Sequence, residues 1–217
     1  ELIVKYTFII ILLCIIIIFL LYGCIDTSFK KNTKQINVPS SELYKARKKS
    51  DYGYIDYNGN IKIAFNFDFV YQFVEERACV LQKVSSKYGY IDRTGNYVIE
   101  PIYTVGSHFS EGLVFVRKGK KCGFLNKDGN IVIDFVFETA GDFSEGLAAY
   151  GINFGEQNEA YGFIDKNGQI VIEAQYDTVG DFHDGMCVVA ERNKAIPTAL
   201  TFGYINTTGE LVVPIEL

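Results

Sequence analysis

The 217-residue sequence contains no tryptophan, one methionine, four prolines and two histidines. So few histidines exclude a His-rich metal centre. Neither His108 nor His183 sits in a nucleophile elbow, a phosphate-binding loop or a zinc-peptidase motif. Basic charge is also short. From residue 51 onward, 13 Lys and Arg stand against 23 Asp and Glu. So acidic a body argues against nucleic acid as a partner, which calls for a basic face. Beyond the first 25 residues no long apolar run occurs, and only three cysteines remain there, Cys79, Cys122 and Cys187. Their number is odd and their spacing fits no metal motif, so they read as small buried hydrophobes.

What is abundant points to strands and turns. Glycine is frequent at 20, and aromatics make up 15 % of the chain, all of them Tyr and Phe. With many Ile and Val, this mix favours short strands and tight turns. The first residues are a different material. "YTFIIILLCIIIIFLLYGC" (Tyr6–Cys24) is uncharged and longer than any globular core element requires, so residues 1–24 read as a targeting or membrane segment. "LYGC" (Leu21–Cys24) resembles a bacterial lipobox, which implies cleavage before Cys24 and a lipid on its thiol. Alternatively Phe8–Ile25 stays as a transmembrane helix, since about 18–20 apolar residues span a bilayer. The body is then exported, or is cytoplasmic if Lys30, Lys31 and Lys34 follow the positive-inside rule. Residues 25–40 read as a tether.

After it the chain repeats itself. "GYIDYNGN", "GYIDRTGN", "GFLNKDGN", "GFIDKNGQ" and "GYINTTGE" begin at Gly53, Gly89, Gly123, Gly162 and Gly203, and each carries a second Gly six residues on. Fourteen residues after the first Gly comes an aromatic (Phe67, Tyr103, Phe137, Tyr176), and twenty after it comes Phe73, Phe109, Phe143 or Phe182. A step of the type Ser110-Glu111-Gly112 follows that Phe. Spacing is fixed inside the unit and slack between units (36, 34, 39 and 41 residues), which describes packed units joined by variable loops. "LYKARKKSDYG" (Leu43–Gly53) aligns with "LVFVRKGKKCG" (Leu113–Gly123), so the first unit starts near residue 41. Each unit reads as a three-stranded antiparallel meander: Leu113–Lys118, then Cys122–Asn126, then a tight Asx-x-x-Gly turn into Ile131–Ile133.

This pattern resembles the WG-repeat family, whose repeats carry W-G-[YF]-I-[DN]-x-x-G followed by an aromatic and F-x-E-G. Gly162–Val189 and Gly123–Ala149 follow it closely, and the resemblance covers residues 41–217. The Trp before the first Gly is replaced by Tyr52, Tyr88, Cys122, Tyr161 and Phe202. The resemblance implies a bacterial interaction scaffold of envelope or secreted proteins, with no shared catalytic residues and no cofactor.

The candidate sites weigh the same way. The series Asp56, Asp92, Asn126, Asp165 and Asn206 reads as turn capping rather than a metal array, because Asn replaces Asp twice and calcium needs more oxygens than "DKNGQ" supplies. The recurring acids Glu75, Glu111, Glu145 and Asp184 read as solvated turns or as an acidic binding stripe. Every polar feature recurs, whereas an enzyme places its acid and base once. The expected fold is all-β, a tandem array of about five three-stranded units, open and twisted, with a closed five-bladed ring as the alternative. The expected function is a non-catalytic scaffold for a protein or cell-wall partner, membrane-anchored at the outer face of the envelope. Its alternative is a single-pass protein with a cytoplasmic adaptor domain.

Overall fold

The computed structural model describes residues 42–153, 159–192 and 199–215. The apolar amino-terminal segment with Cys24, and the tether, lie outside them. The described residues form strands and turns with no helix, so none is long and apolar enough to cross a membrane.

Among the described residues, eighteen antiparallel strands follow one another as five units. The first holds β1 (Tyr44–Lys48), β2 (Asp51–Ile55) and the first part of β3 (Ile61–Val70). The second uses the rest of β3, then β4 (Ala78–Gln82), β5 (Lys87–Ile91) and β6 (Tyr97–Tyr103). The third is β7 (Val105–Gly106), β8 (Leu113–Lys118), β9 (Lys121–Asn126) and β10 (Ile131–Phe137). The fourth is β11 (Thr139–Ser144), β12 (Leu147–Ile152), β13 (Ala160–Asp165) and β14 (Ile170–Tyr176). The fifth is β15 (Thr178–Val179), β16 (Met186–Arg192), β17 (Leu200–Asn206) and β18 (Leu211–Val213). Each unit thus contains the three-stranded meander, and a leading strand is added from the second unit on, of only two residues in the third and fifth units. Because β3 is continuous, the first two units share a six-stranded sheet, and the other three have four strands each.

The invariant glycines follow from the register. Tyr52 pairs with Phe67 and Tyr54 with Ile63, so the third strand arches two extra residues over Gly53. A Cβ on Gly53 would lie 2.6 Å from the carbonyl oxygen of Ile63, and one on Gly162 2.3 Å from that of Ile172. No side chain fits under that arch. Beside the arch, the family's Trp position pairs across the strands with the aromatic fourteen residues after Gly, as in Tyr88–Tyr103 and Tyr161–Tyr176.

Hydrophobic burial lies between units rather than inside them. One core combines Tyr54 and Ile63 of the first unit with Phe73, Ala78 and Ile91 of the second. The same composition recurs at each joint: Tyr90 and Ile99 with Phe109, Val114 and Leu125; Phe124 and Ile133 with Phe143, Ala148 and Ile164; Phe163 and Ile172 with Phe182, Cys187 and Ile205. At every joint the repeat Phe of one unit packs on the ring after the first Gly of the unit before. The ring centroids are 4.8, 5.3, 5.0 and 4.8 Å apart for Tyr54–Phe73, Tyr90–Phe109, Phe124–Phe143 and Phe163–Phe182. The array is open. Successive units pack on one another, and among the described residues no comparable interface joins the first unit to the fifth.

Candidate interaction surface

The turn after the repeat Phe is a two-residue hairpin. Ser110 and Leu113 exchange both backbone hydrogen bonds, and Glu111 and Gly112 between them have φ of 53° and 84°, the primed turn that suits strand twist. This geometry aims the acid at the next unit, where its carboxylate accepts from the backbone N–H of that unit's turn. The distances are 3.0 Å from Gly112 to Glu75, 3.0 Å from Gly146 to Glu111 and 2.8 Å from Gly185 to Glu145. Lysines of the next Asx turn close on the same acids, Lys127 at 3.4 Å from Glu75 and Lys166 at 3.0 Å from Glu111. The serines act in parallel: Ser110 donates to the carbonyl of Phe143 at 2.6 Å and Ser144 to that of Phe182 at 2.7 Å. These acids are struts between units. Burial pushes the Glu111 carboxyl upward, but the Lys166 ammonium and the Gly146 N–H outweigh it and hold it below the usual carboxylate range. Periodicity marked the acids as structurally placed, but their partners lie some 35–40 residues away and left no local signal.

The Asx series caps its own turns. In each copy one side-chain oxygen accepts from the N–H groups two and four residues on, as Asp165 does from Asn167 at 2.9 Å and Gln169 at 2.8 Å, and Asn206 from Thr208 at 3.0 Å and Glu210 at 2.9 Å. Asn works as well as Asp because acceptance alone is required. Where Asp is present its carboxyl is held low, that of Asp56 to about 2, by the Asn60 side chain and the backbone donors of the turn. Among the described residues no group of acids, cysteines and histidines is arranged to hold a metal ion.

The structural positions chosen from the repeat fall as follows. Phe109, Phe143 and Phe182 are fully buried and Phe73 nearly so, while Gly53, Gly89, Gly123, Gly162 and Gly203 all sit opposite the arching third strand. Cys79, Cys122 and Cys187 are buried free thiols. Burial pushes Cys79 up to about 12 and Cys187 to about 11.

One polar cluster breaks the repetition. The residue before the repeat Phe is Gln72 in the second unit, His108 in the third and Asp142 or Asp181 in the fourth and fifth, so this point beside the leading strand carries three different side chains. Asp142 Oδ2 accepts from Ser107 Oγ at 2.9 Å and lies 3.5 Å from His108 Nδ1, which is also 3.5 Å from Ser107 Oγ. Ser, His and Asp within reach of each other raise the question of nucleophilic catalysis. In a triad the acid orients the imidazole and the imidazole's far nitrogen takes the serine proton. Here the serine bonds the carboxylate directly, and both meet the same imidazole nitrogen, so no relay runs through the ring. Burial, with the charge of Asp181 adding to it, holds the Asp142 carboxyl above its usual range despite Ser107 and His108, and its buried Oδ1 has no hydrogen-bond partner. Beside this cluster a cleft of about 300 Å³ opens between the fourth and fifth units, lined by Thr139, Gly141, Tyr150, Tyr161, Thr178 and Asp181 among others. Tyr161 donates to Glu159 at its edge. Neither cluster nor cleft was legible in the sequence, since their members come from different copies of the repeat.

The sequence pattern described as "WG containing repeat" matches residues 52–83, 88–122, 123–153, 161–194 and 202–217. The chain belongs to the WG repeat family. No curated protein matches the sequence. Among solved structures, these WG repeats are similar in fold to Hsv2 of Kluyveromyces lactis (10 % identity, 80 % of this chain and 60 % of that one, TM-score 0.50). They are similarly close to KlHsv2 with loop 6CD replaced by a Gly-Ser linker (9 % identity, 80 % and 62 % covered, TM-score 0.51). The WG-repeat chain therefore spans about three fifths of the length of these propeller-like proteins. At such identity the likeness concerns the fold alone.

Proposed function

We propose that this WG-repeat protein is a tethered, non-catalytic binding scaffold of the bacterial cell envelope, anchored through its amino-terminal segment with the repeat domain on the extracytoplasmic side. The observation that carries the scaffold reading is the division of labour among polar groups. Asx residues, acids and serines recur and are consumed in turns and joints, which leaves the leading-strand edge, with Ser107, His108, Asp142 and the cleft before Thr178, as the place where copies differ. A face varied on a rigid repeated frame suits recognition of a protein or cell-wall ligand. The Ser107–His108–Asp142 geometry lacks the relay that hydrolysis needs, which supports a binding role.

Anchoring through a lipid on Cys24 rests on "LYGC" after the apolar run. Metabolic labelling with a fatty-acid analogue is expected to mark the wild-type protein and not Cys24→Ser, whose precursor stays longer. Unlabelled wild type that still fractionates with membranes would replace the lipid by a retained helix. Lys30, Lys31 and Lys34 would then favour a cytoplasmic adaptor. For the binding face, a benzophenone amino acid in place of Thr178 is expected to give one discrete adduct in cells. The absence of any adduct there, with adducts forming at the opposite strand ends instead, would overturn the assignment of the face.

A further inference from the structure

Every joint in the array is made from two unlike halves. The trailing half offers the ring after the first Gly and the aliphatic residue ten after that Gly, and the leading half of the next unit covers them. Tyr54, Tyr90, Phe124 and Phe163 are at most 1 % exposed, and Ile63, Ile99, Ile133 and Ile172 at most 6 %. The fifth unit has the same trailing half, and among the described residues nothing covers it. Tyr204 is 43 % exposed and Val213 47 %, and Phe202 and Met186 beside them are open as well.

The first unit presents the missing leading half. In later units the second Gly of the Asx turn rides on the aliphatic residue of the unit before: a Cβ on Gly95, Gly129, Gly168 or Gly209 would stand 3.2, 3.1, 2.9 or 3.2 Å from the side chain of Ile63, Ile99, Ile133 or Ile172. At Gly59 none of the described residues lies within 4 Å. Ile91, Leu125, Ile164 and Ile205, two residues after the first Gly, are fully buried, but their counterpart Ile55 is not. Instead it lines a concavity of about 290 Å³ with Tyr44, Asp56, Tyr57 and Gly59.

We propose that the two bare halves form a fifth joint between copies of this chain, the fifth unit of one seating the first unit of the next, head to tail. The occupant is specified by the molecule itself, since the same apolar pairing is made four times within the chain by units of this type. The open array keeps its own ends from meeting, so the complementary half comes from a second copy. Such a heterologous contact repeats, building rings or filaments according to the rotation at the joint. The joint is also weaker than the internal ones. Pro39 takes the register place of the repeat Phe, and Tyr57 that of Lys127 and Lys166, so neither the stacked ring nor the strut to Asp184 is supplied. Association is therefore reversible and dependent on concentration. This inference does not depend on the scaffold reading of the leading-strand edge.

The test uses the full chain in detergent micelles, with a benzophenone amino acid in place of Tyr204 and an equal mixture of ¹⁴N and ¹⁵N protein. Illumination, digestion and mass spectrometry are expected to show residue 204 joined to the segment from Tyr44 to Gly59 in isotopically mixed pairs. Val213→Asp, which changes an exposed residue, is expected to lower the yield about tenfold, the effect of roughly 1.4 kcal/mol at the joint, and Tyr57→Lys to raise it through Asp184. Isotopically pure pairs would mean closure within one chain and overturn the proposal. Cross-links to any other segment, or none, would overturn it equally.

Discussion

Truncating Phe143 probes the joint on which the fold rests. Its ring is 2 % exposed and packs at 5.0 Å on Phe124 of the preceding unit, in a core that also holds Leu113 and Ile133 of the third unit and Ala148, Tyr150 and Ile164 of the fourth. Phe143→Ala removes the ring from both sides of that core, and large cavities of this kind cost about 3–5 kcal/mol. The ring pair contributes about 0.5–1.5 kcal/mol of this total. Against a domain stability of about 5–15 kcal/mol the loss is large. Because the core lies between units, the damage should not stay in the fourth. Urea titration of the full chain in detergent, followed by tyrosine fluorescence, gives the magnitude. Hydrogen exchange then locates it, with amides of both β9 and β12 expected to lose protection. Phe202→Ala, at an exposed site of the fifth unit, is expected to change stability by less than about 1 kcal/mol. A loss below about 1 kcal/mol for Phe143→Ala, or lost protection confined to β11–β14, would refute the placement of the core between units.

Three further outcomes are expected. Gly162→Ala would put a methyl 2.3 Å from the Ile172 carbonyl, whereas Gly141→Ala meets only ordinary contacts at 3.6 Å, so the first is expected to destabilise by about 1–3 kcal/mol and the second to be nearly neutral in the same titration. Glu111→Ala is expected to speed exchange of the Gly146 amide selectively. The wild-type strut, with its carboxyl held low, is present above the unfolded carboxylate value of about 4.5 and lost as pH falls through the folded one. Asp142 has the opposite sign: its raised carboxyl binds a proton more tightly in the folded state, so stability falls as pH rises from about 3.8 through the folded value, and Asp142→Asn should be more stable at neutral pH with a flatter profile. A denaturation series from pH 3 to 7 checks both signs; a Glu111 and an Asp142 variant shifting in the same direction would contradict them.

The sequence made the repeat legible because sterics fix its spacing. A first Gly is needed under the arched third strand, a second Gly at φ near 85° in the Asx turn, and an aromatic where the next unit packs. The all-β class, the unit count and the meander follow from those constraints. The short leading strands β7 and β15 were hidden, because two residues carry no pattern of their own and their pairing with β8 and β16 spans the whole hairpin turn. The strut role of Glu75, Glu111 and Glu145 was hidden for a different reason. A surface acid after Ser looks the same whether its carboxylate faces water or an N–H of the next unit. Ser107 and Asp142 meet across two units, and sequence adjacency shows only the Ser107–His108 half.

Spin labels at Tyr57→Cys and Asp184→Cys decide whether the array is open, each unit of a chain packing within that chain only on its neighbours. Cys14 and Cys24 are replaced by Ser, while Cys79, Cys122 and Cys187 are buried from the reagent. These two positions are the register counterparts of Lys127 and Glu75, which lie 3.4 Å apart across an internal joint. Labels at Glu75→Cys and Lys127→Cys should therefore show contact-range broadening of the resonance spectrum. With the doubly labelled chain diluted into unlabelled protein, an open array gives no such broadening between residues 57 and 184; contact-range coupling that survives dilution would mean a closed ring.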